Sequence, residues 1–243
     1  MKTLITILAL CLIVAVGTVQ ANLSNVRPVG FGSSSELSLQ QVLNNITTSG
    51  FVDATNDQIN AAIFTNQGSG GAVATFVIEI AGSADSNTFG IYDYFDPSKK
   101  AQVFSGLDTA GGQKLISFMA NGDIKVNFIT VATFNPTVQF GFYLDGPKGT
   151  FYSEDSLNGG NAQAVILRGK GAEIQMPGFN PGIFSSDEYI VAFENAPFAT
   201  ADRDYQDLVV HVESISPVVP APAALALGVI GLGFIGWVKR RFA

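Results

Sequence analysis

The residues with the densest potential for chemistry are Ala201-Asp202-Arg203-Asp204-Tyr205-Gln206-Asp207-Leu208-Val209-Val210. Three carboxylates stand directly ahead of an apolar run that alternates as a strand. Continued backwards with a side-chain period of two, that strand would place Asp202 and Asp204 on the face of Leu208, Val210 and Val212. An ionised carboxylate cannot stay unpaired on such a face. Either the chain leaves the sheet before Asp207, or a cation or an arginine neutralises the pair. Calcium is the natural cation, because it collects six to eight oxygens from carboxylates and carbonyls. Asp202, Asp204 and Asp207 are therefore the expected calcium ligands, with Glu194 contributing from outside the stretch. The spacing imitates an EF-hand, with Glu213 twelfth from Asp202, but Asp207 occupies the position that needs glycine. The competing reading is an acidic turn in solvent, partnered by Arg203 or by lysines.

Other chemistry is thinner. His211 is the only histidine, and any Ser-His-Asp hydrolase would have to be built around it. It alternates with Val210 and Val212, which points to the outer face of a strand. Glu154 with Asp155, or Glu188 with Glu194, could form a glycosidase pair, yet nothing in the sequence fixes their separation. Tyr92, Tyr94 and Tyr143 could make a sugar-stacking face if alternation turns them outward.

The elements that must position these residues are mostly strands. Ala74, Phe76, Ile78 and Ile80 alternate with Val73, Thr75, Val77 and Glu79, and Val138, Phe140, Phe142 and Leu144 alternate with Gln139, Gly141, Tyr143 and Asp145. Asn121-Gly122 between 115–118 and 124–128 predicts a type I′ hairpin. Further strands are expected over 89–94, 102–105, 150–152, 164–168, 189–193 and 208–212. One short helix is expected after Ser38, where Ser38 and Gln41 fit a capping box and Leu39, Val42, Leu43 and Ile46 share a face. The predicted fold is all-β: an antiparallel β-sandwich, jelly-roll-like, with one short helix.

Both ends of the chain carry a different signal. Residues 1–21 combine Lys2, an apolar core and the small-residue ending Val19-Gln20-Ala21, which predicts a secretory signal cleaved after Ala21. The only cysteine, Cys11, falls inside that segment, so the exported part has no thiol and no disulfide. Of the 13 basic residues, nine lie between the two ends together with all 20 acidic ones, a net charge of −11. Such a domain is not built to bind nucleic acid, which needs clustered Lys and Arg. The domain is expected over 22–214, followed by a proline-rich linker and sorting motif over 215–222 and a transmembrane segment with a basic tail over 223–243. The apolar run Ala223–Val238 has sixteen residues, about 24 Å as a helix against a hydrocarbon core of about 30 Å. Lys239, Arg240 and Arg241 would keep the terminus in the cytoplasm.

This order of proline motif, apolar segment and terminal arginines resembles the PEP-CTERM sorting domain of Gram-negative bacteria. The resemblance covers about the last 27 residues, with Val219-Pro220-Ala221-Pro222-Ala223 as the sorting motif and Ala221 where the family has Glu. It implies recognition by an exosortase-type membrane peptidase, transient contact with the membrane, and export through the inner membrane to the cell surface, outer envelope or extracellular matrix. The region 140–212 resembles an uncharacterised all-β domain of secreted bacterial proteins. That likeness rests on Phe140-Gly141-Phe142-Tyr143-Leu144, on 150–158, on Ala192-Phe193-Glu194-Asn195 and on the Asp-rich stretch, with Asn195 and Gln206 departing from its Asp and Asn. The expected function is a structural or binding role at the surface, calcium-stabilised and associated with exopolysaccharide or biofilm. The alternatives are a carbohydrate-binding module and a surface glycoside or ester hydrolase.

Overall fold

Alternation with period two builds the centre of this molecule. In the computed structural model, which describes residues 26–31, 36–67, 71–79 and 84–218, the helix α1 (Leu39–Ile46) is followed by sixteen strands. They are β1 (Thr47–Ser49), β2 (Phe64–Asn66), β3 (Ala72–Glu79), β4 (Thr88–Asp93), β5 (Asp96–Ser105), β6 (Gln113–Phe118), β7 (Asp123–Val126) and β8 (Ile129–Thr133) in the first half. The second half holds β9 (Phe140–Gly146), β10 (Gly149–Tyr152), β11 (Ala164–Arg168), β12 (Glu173–Ile174), β13 (Gly182–Ile183), β14 (Glu188–Phe193), β15 (Leu208–Glu213) and β16 (Ile215–Pro217). One sheet runs β16-β2-β9-β4-β5 with β10 also on β9, and the other runs β11-β14-β15-β3-β6-β7-β8. Every pairing is antiparallel.

The two large sheets face each other across one apolar core. Phe64, Phe89, Ile91, Phe140, Phe142 and Leu144 come from the first, and Ala74, Phe76, Tyr189, Val191, Phe193, Leu208, Val210 and Val212 from the second. Phe89 and Phe142 stack at 5.9 Å, and Phe64 meets Tyr189 edge-on at 5.2 Å, the offset and edge contacts that ring quadrupoles favour.

A second core lies behind the longer sheet. Val77, Val165, Leu167, Ile190, Ala192 and Val209 point away from the sandwich and are covered by Leu39, Val42, Leu43 and Ile46 of α1 together with Ile174, Met176, Phe184 and Tyr205. A small third sheet, β1-β12-β13, completes this layer. Eight residues cannot sustain a helix in water, so α1 depends on this packing. Its start is set by the predicted capping box: Ser38 N–H donates to Gln41 Oε1 at 2.8 Å, and Gln41 N–H to Ser38 Oγ at 3.4 Å.

Two expectations change in detail. The hairpin between β6 and β7 turns through Ala120-Asn121-Gly122, with Gly122 N–H donating to Met119 O and only Gly122 at positive φ, 90°. That is a three-residue loop ending in a left-handed glycine, not a type I′ turn. The pair of positive φ angles falls at Asn127 (49°) and Phe128 (70°), which join Val126 to its partner Ile129. The sheet also extends past Ser214: β16 pairs with β2, and Val218 N–H donates to Ile63 O, taking 215–217 out of the expected linker. Ala21 and the signal segment, the motif Val219 to Ala223, and the apolar segment with Lys239, Arg240 and Arg241 lie outside the described residues. Among the described residues no helix is long and apolar enough to cross a membrane.

Candidate cation site

The acidic stretch does leave the sheet. β15 begins at Leu208, and residues 201–206 form an irregular segment in which Arg203 (φ 65°) and Tyr205 (φ 52°) both adopt the left-handed conformation around Asp204. Two non-glycine residues in that region cost of order 1 kcal/mol each and persist only where the surroundings enforce them. Here the enforcement is visible. The Tyr205 ring is buried in the second core, its hydroxyl donates to Ala162 O at 3.2 Å, and its N–H donates to Glu194 Oε1 at 2.7 Å. From the other side, Gly30 N–H donates to Arg203 O at 2.7 Å and Leu39 N–H, the first of α1, to Asp204 O at 3.0 Å. Gly30 must be glycine for this approach, since a Cβ there would stand 2.7 Å from Asp202 O.

The Asp204 carboxylate ends up fully buried, at 0 % exposure, and neither of its oxygens accepts a well-formed hydrogen bond, the backbone and side chain of Gln206 being the donors beside it. Burial is the main reason its carboxyl is pushed up to about 6, with the charge of Asp202 adding to it and the nearby Gln206 groups opposing. Glu36, in the segment before α1, and Asp202 each bring a carboxylate oxygen to within 4.8 Å of an Asp204 oxygen and of one another. Two ligands on opposite sides of a calcium ion lie about 4.8 Å apart, twice the usual calcium–oxygen distance of about 2.4 Å. The three carboxylates are therefore close enough together to be candidates for sharing one cation.

The other two expected ligands are close but engaged. Asp207 Oδ2 accepts from Asn195 N–H at 2.8 Å, and its carboxyl is raised by burial first, then by Asp202 and Glu36, against the Asn195 hydrogen bond and Lys148. Glu194 accepts from Tyr205 N–H with Oε1 while Oε2, buried, has no partner. Burial chiefly drives it up to about 8, with Asp207, Asp202 and Asp204 adding to that and the Tyr205 N–H pulling back. Gln206 Oε1 and Gln163 Oε1 are further buried acceptors without a donor. Among the described residues no ion pair involves Asp202, Asp204, Asp207 or Glu194. Arg203, the cation nearest in sequence, instead lies over the Phe198 ring at 3.9 Å. A region rich in oxygen acceptors and poor in donors suits a hard cation. Glu36 could not have been found from the acidic stretch, because only the docking of the N-terminal arm brings it there.

His211 lies on the side of β15 away from the sandwich core, as alternation predicts, but is buried. Its Nε2 is 3.3 Å from Glu188 Oε2, its ring is 5.9 Å from that of Phe184, and it lines a cleft of about 190 Å³ with Thr75, Gln113 and Glu213. Among the described residues no serine lines that cleft. Glu188 and Glu194 are separated by the length of β14, about 20 Å, too far for the two carboxylates of a glycosidase. Glu154 Oε1 accepts from the Ser156 hydroxyl, and Asp155 pairs with Arg27 at 2.6 Å.

The tyrosines need a correction. Tyr92 and Tyr143 do point away from the sandwich core, yet both are buried, and only Tyr94 is exposed, at 42 %. Cross-strand glycines explain this. Tyr92 is paired with Gly141 and Tyr143 with Gly90, and a Cβ on either glycine would strike the opposing ring at 2.4 Å or 2.8 Å. The rings lie flat on glycine and are roofed by Tyr152, 5.1 Å from Tyr92, and by Lys100 Nζ, 4.9 Å from the Tyr143 ring. Burial pushes the Tyr143 hydroxyl up to about 12 and that of Tyr92 higher still.

Comparison of the chain with protein-family models, with curated proteins and with solved structures found no match.

Proposed function

We propose that this chain is an exported, exosortase-sorted protein of the cell surface or extracellular matrix, with a structural or binding role and a jelly-roll-like sandwich stabilised by calcium. The observation that carries the reading is Asp204: a buried carboxylate neither of whose oxygens accepts a well-formed hydrogen bond, facing Glu36 and Asp202. Such a group is tolerable if it meets a cation, and extracellular modules bind calcium at roughly 10⁻⁴–10⁻³ M, the concentration range outside cells. The predicted signal ending at Ala21 and the tail beginning at Val219 would deliver the domain to that environment, with the apolar segment as a single transmembrane helix until the exosortase acts. Exopolysaccharide of a biofilm matrix is the proposed surrounding. Titration calorimetry with calcium chloride tests the reading: one site of sub-millimolar to millimolar affinity is expected, and the absence of binding refutes it.

A second reading, carbohydrate binding, is favoured by one feature. Tyr94 and Phe95 are exposed to 42 % and 51 % and meet edge-on at 5.2 Å, a small aromatic platform at the β4–β5 turn. Retention on a polysaccharide array that Tyr94→Ala abolishes would support it.

A further inference from the structure

We propose that the cation held by Glu36, Asp202 and Asp204 is a clasp: its binding determines whether the N-terminal arm and helix α1 stay docked on the outer face of the longer sheet. This deepens the calcium reading and rests on it. The three carboxylates belong to two separate pieces of chain. Asp202 and Asp204 sit in the loop ahead of β15, whereas Glu36 sits in the arm two residues before the Ser38 cap. An ion between them ties arm to loop across a seam that is otherwise crossed here by two backbone hydrogen bonds, Gly30 N–H to Arg203 O and Leu39 N–H to Asp204 O.

Removing the ion leaves three negative groups within 4.8 Å across that seam. Their repulsion acts in the direction that separates arm from loop, and water entering the gap would supply Asp204 with donors beyond those that Gln206 offers. The layer on the other side of the seam is poorly able to resist. α1 has eight residues, has no acidic residue in its first turn or basic residue in its last, and is held by one apolar face. Its further ties are few: Gln40 Nε2 donates to Val52 O at 2.8 Å, Gln40 Oε1 accepts from Ala54 N–H at 2.8 Å and Gln175 N–H donates to Ile46 O at 2.7 Å, while the start of the arm is held separately by Arg27, which pairs with Asp155 at 2.6 Å. The sandwich core contains none of these groups. Loss of the ion thus opens the second core, exposing Val77, Val165, Ile190 and Val209, while the sandwich stays closed. A chain exported through a calcium-poor compartment would complete its second layer only on reaching calcium.

Hydrogen exchange of the full chain in calcium chloride and in a chelator, read by mass spectrometry, tests this beside a direct calcium titration. Calcium is expected to slow exchange at the amides of 36–46 and 201–206 by at least about tenfold while β4 and β9 exchange alike in both conditions. Glu36→Gln, which removes a ligand and the arm's whole share of the repulsion, is expected to weaken calcium binding by about tenfold and to shrink the difference in exchange at 36–46 between calcium and chelator. Asp204→Asn, nearly isosteric and uncharged, is expected to keep α1 protected in chelator as in calcium, which also guards against a variant that merely fails to fold. If calcium binds but 36–46 exchanges equally with and without it, the clasp is wrong and the calcium site stands. If no calcium binds, the site and the clasp fall together.

Discussion

Replacing Asp204 by Asn perturbs the site at its most buried atom, and the effect has opposite signs in calcium and in chelator. With calcium absent at pH 7, the folded protein must hold an ionised carboxylate whose carboxyl titrates at about 6, against about 3.8 for an exposed aspartate. One pH unit of preference corresponds to about 1.4 kcal/mol, so ionisation costs the fold on the order of 2 to 3 kcal/mol that Asn does not incur. With calcium at ten to a hundred times its dissociation constant, the native protein gains about 1.4 to 2.7 kcal/mol, and Asn at 204 forfeits most of it. For a domain of this size 1 kcal/mol moves the melting temperature by roughly 2–4 °C. Differential scanning calorimetry should therefore show the native chain melting several degrees higher in calcium than in chelator, magnesium doing less, and Asp204→Asn melting at one temperature throughout, above the native chain in chelator. A variant that melts below the native chain in chelator would refute the claim that an uncompensated charge is buried there.

Three further outcomes follow from the same structure. Because Glu194 and Asp204 are raised to about 8 and about 6, the folded state binds more protons than the unfolded state between about pH 4 and pH 8; stability in chelator should fall as pH rises through that window, and urea unfolding at pH 5 and pH 8 with and without calcium checks that calcium flattens the slope. Phe128→Gly should stabilise the domain by about 1 kcal/mol in a denaturant titration, since Phe128 holds φ 70° while 78 % exposed and has little packing to lose. Gly141→Ala should destabilise it by about 1–3 kcal/mol, because the new Cβ would meet the Tyr92 ring at 2.4 Å; a neutral result by thermal melting would mean that Tyr92 can move aside.

How much could be read from the residues alone depended on whether an element had one buried face. β9 alternates cleanly because its outer face carries Gly141 and Tyr143 while Phe140, Phe142 and Leu144 enter the core, and α1 was legible from its cap and its four apolar positions. β11, β14 and β15 are buried on both faces, so alternation assigned their residues to sides but could not say that α1 would cover the outer one. That is why His211, on β15, was expected on an open face and is buried; Tyr92 and Tyr143, on β4 and β9 of the other sheet, are buried for a different reason, the cross-strand glycines Gly141 and Gly90 that let their rings lie flat. β1, β2, β12, β13 and β16 have two or three residues each, too few to show a period. At the candidate site, the conflict between carboxylates and an apolar strand was visible in Asp202 and Asp204, and the structure resolves it by turning the chain out of the sheet at 201–206. Glu36 was invisible because its place depends on a docked arm and not on local sequence.

Native mass spectrometry of the protein recovered from the cell surface reads export, processing and calcium at once. The expected species is a chain that begins near Asn22, lacks the residues after Pro222, and carries one calcium ion that a chelator removes. A surface form that retains Trp237 and Arg241 would rule out exosortase processing, and one that carries no calcium before chelation would rule out the cation site.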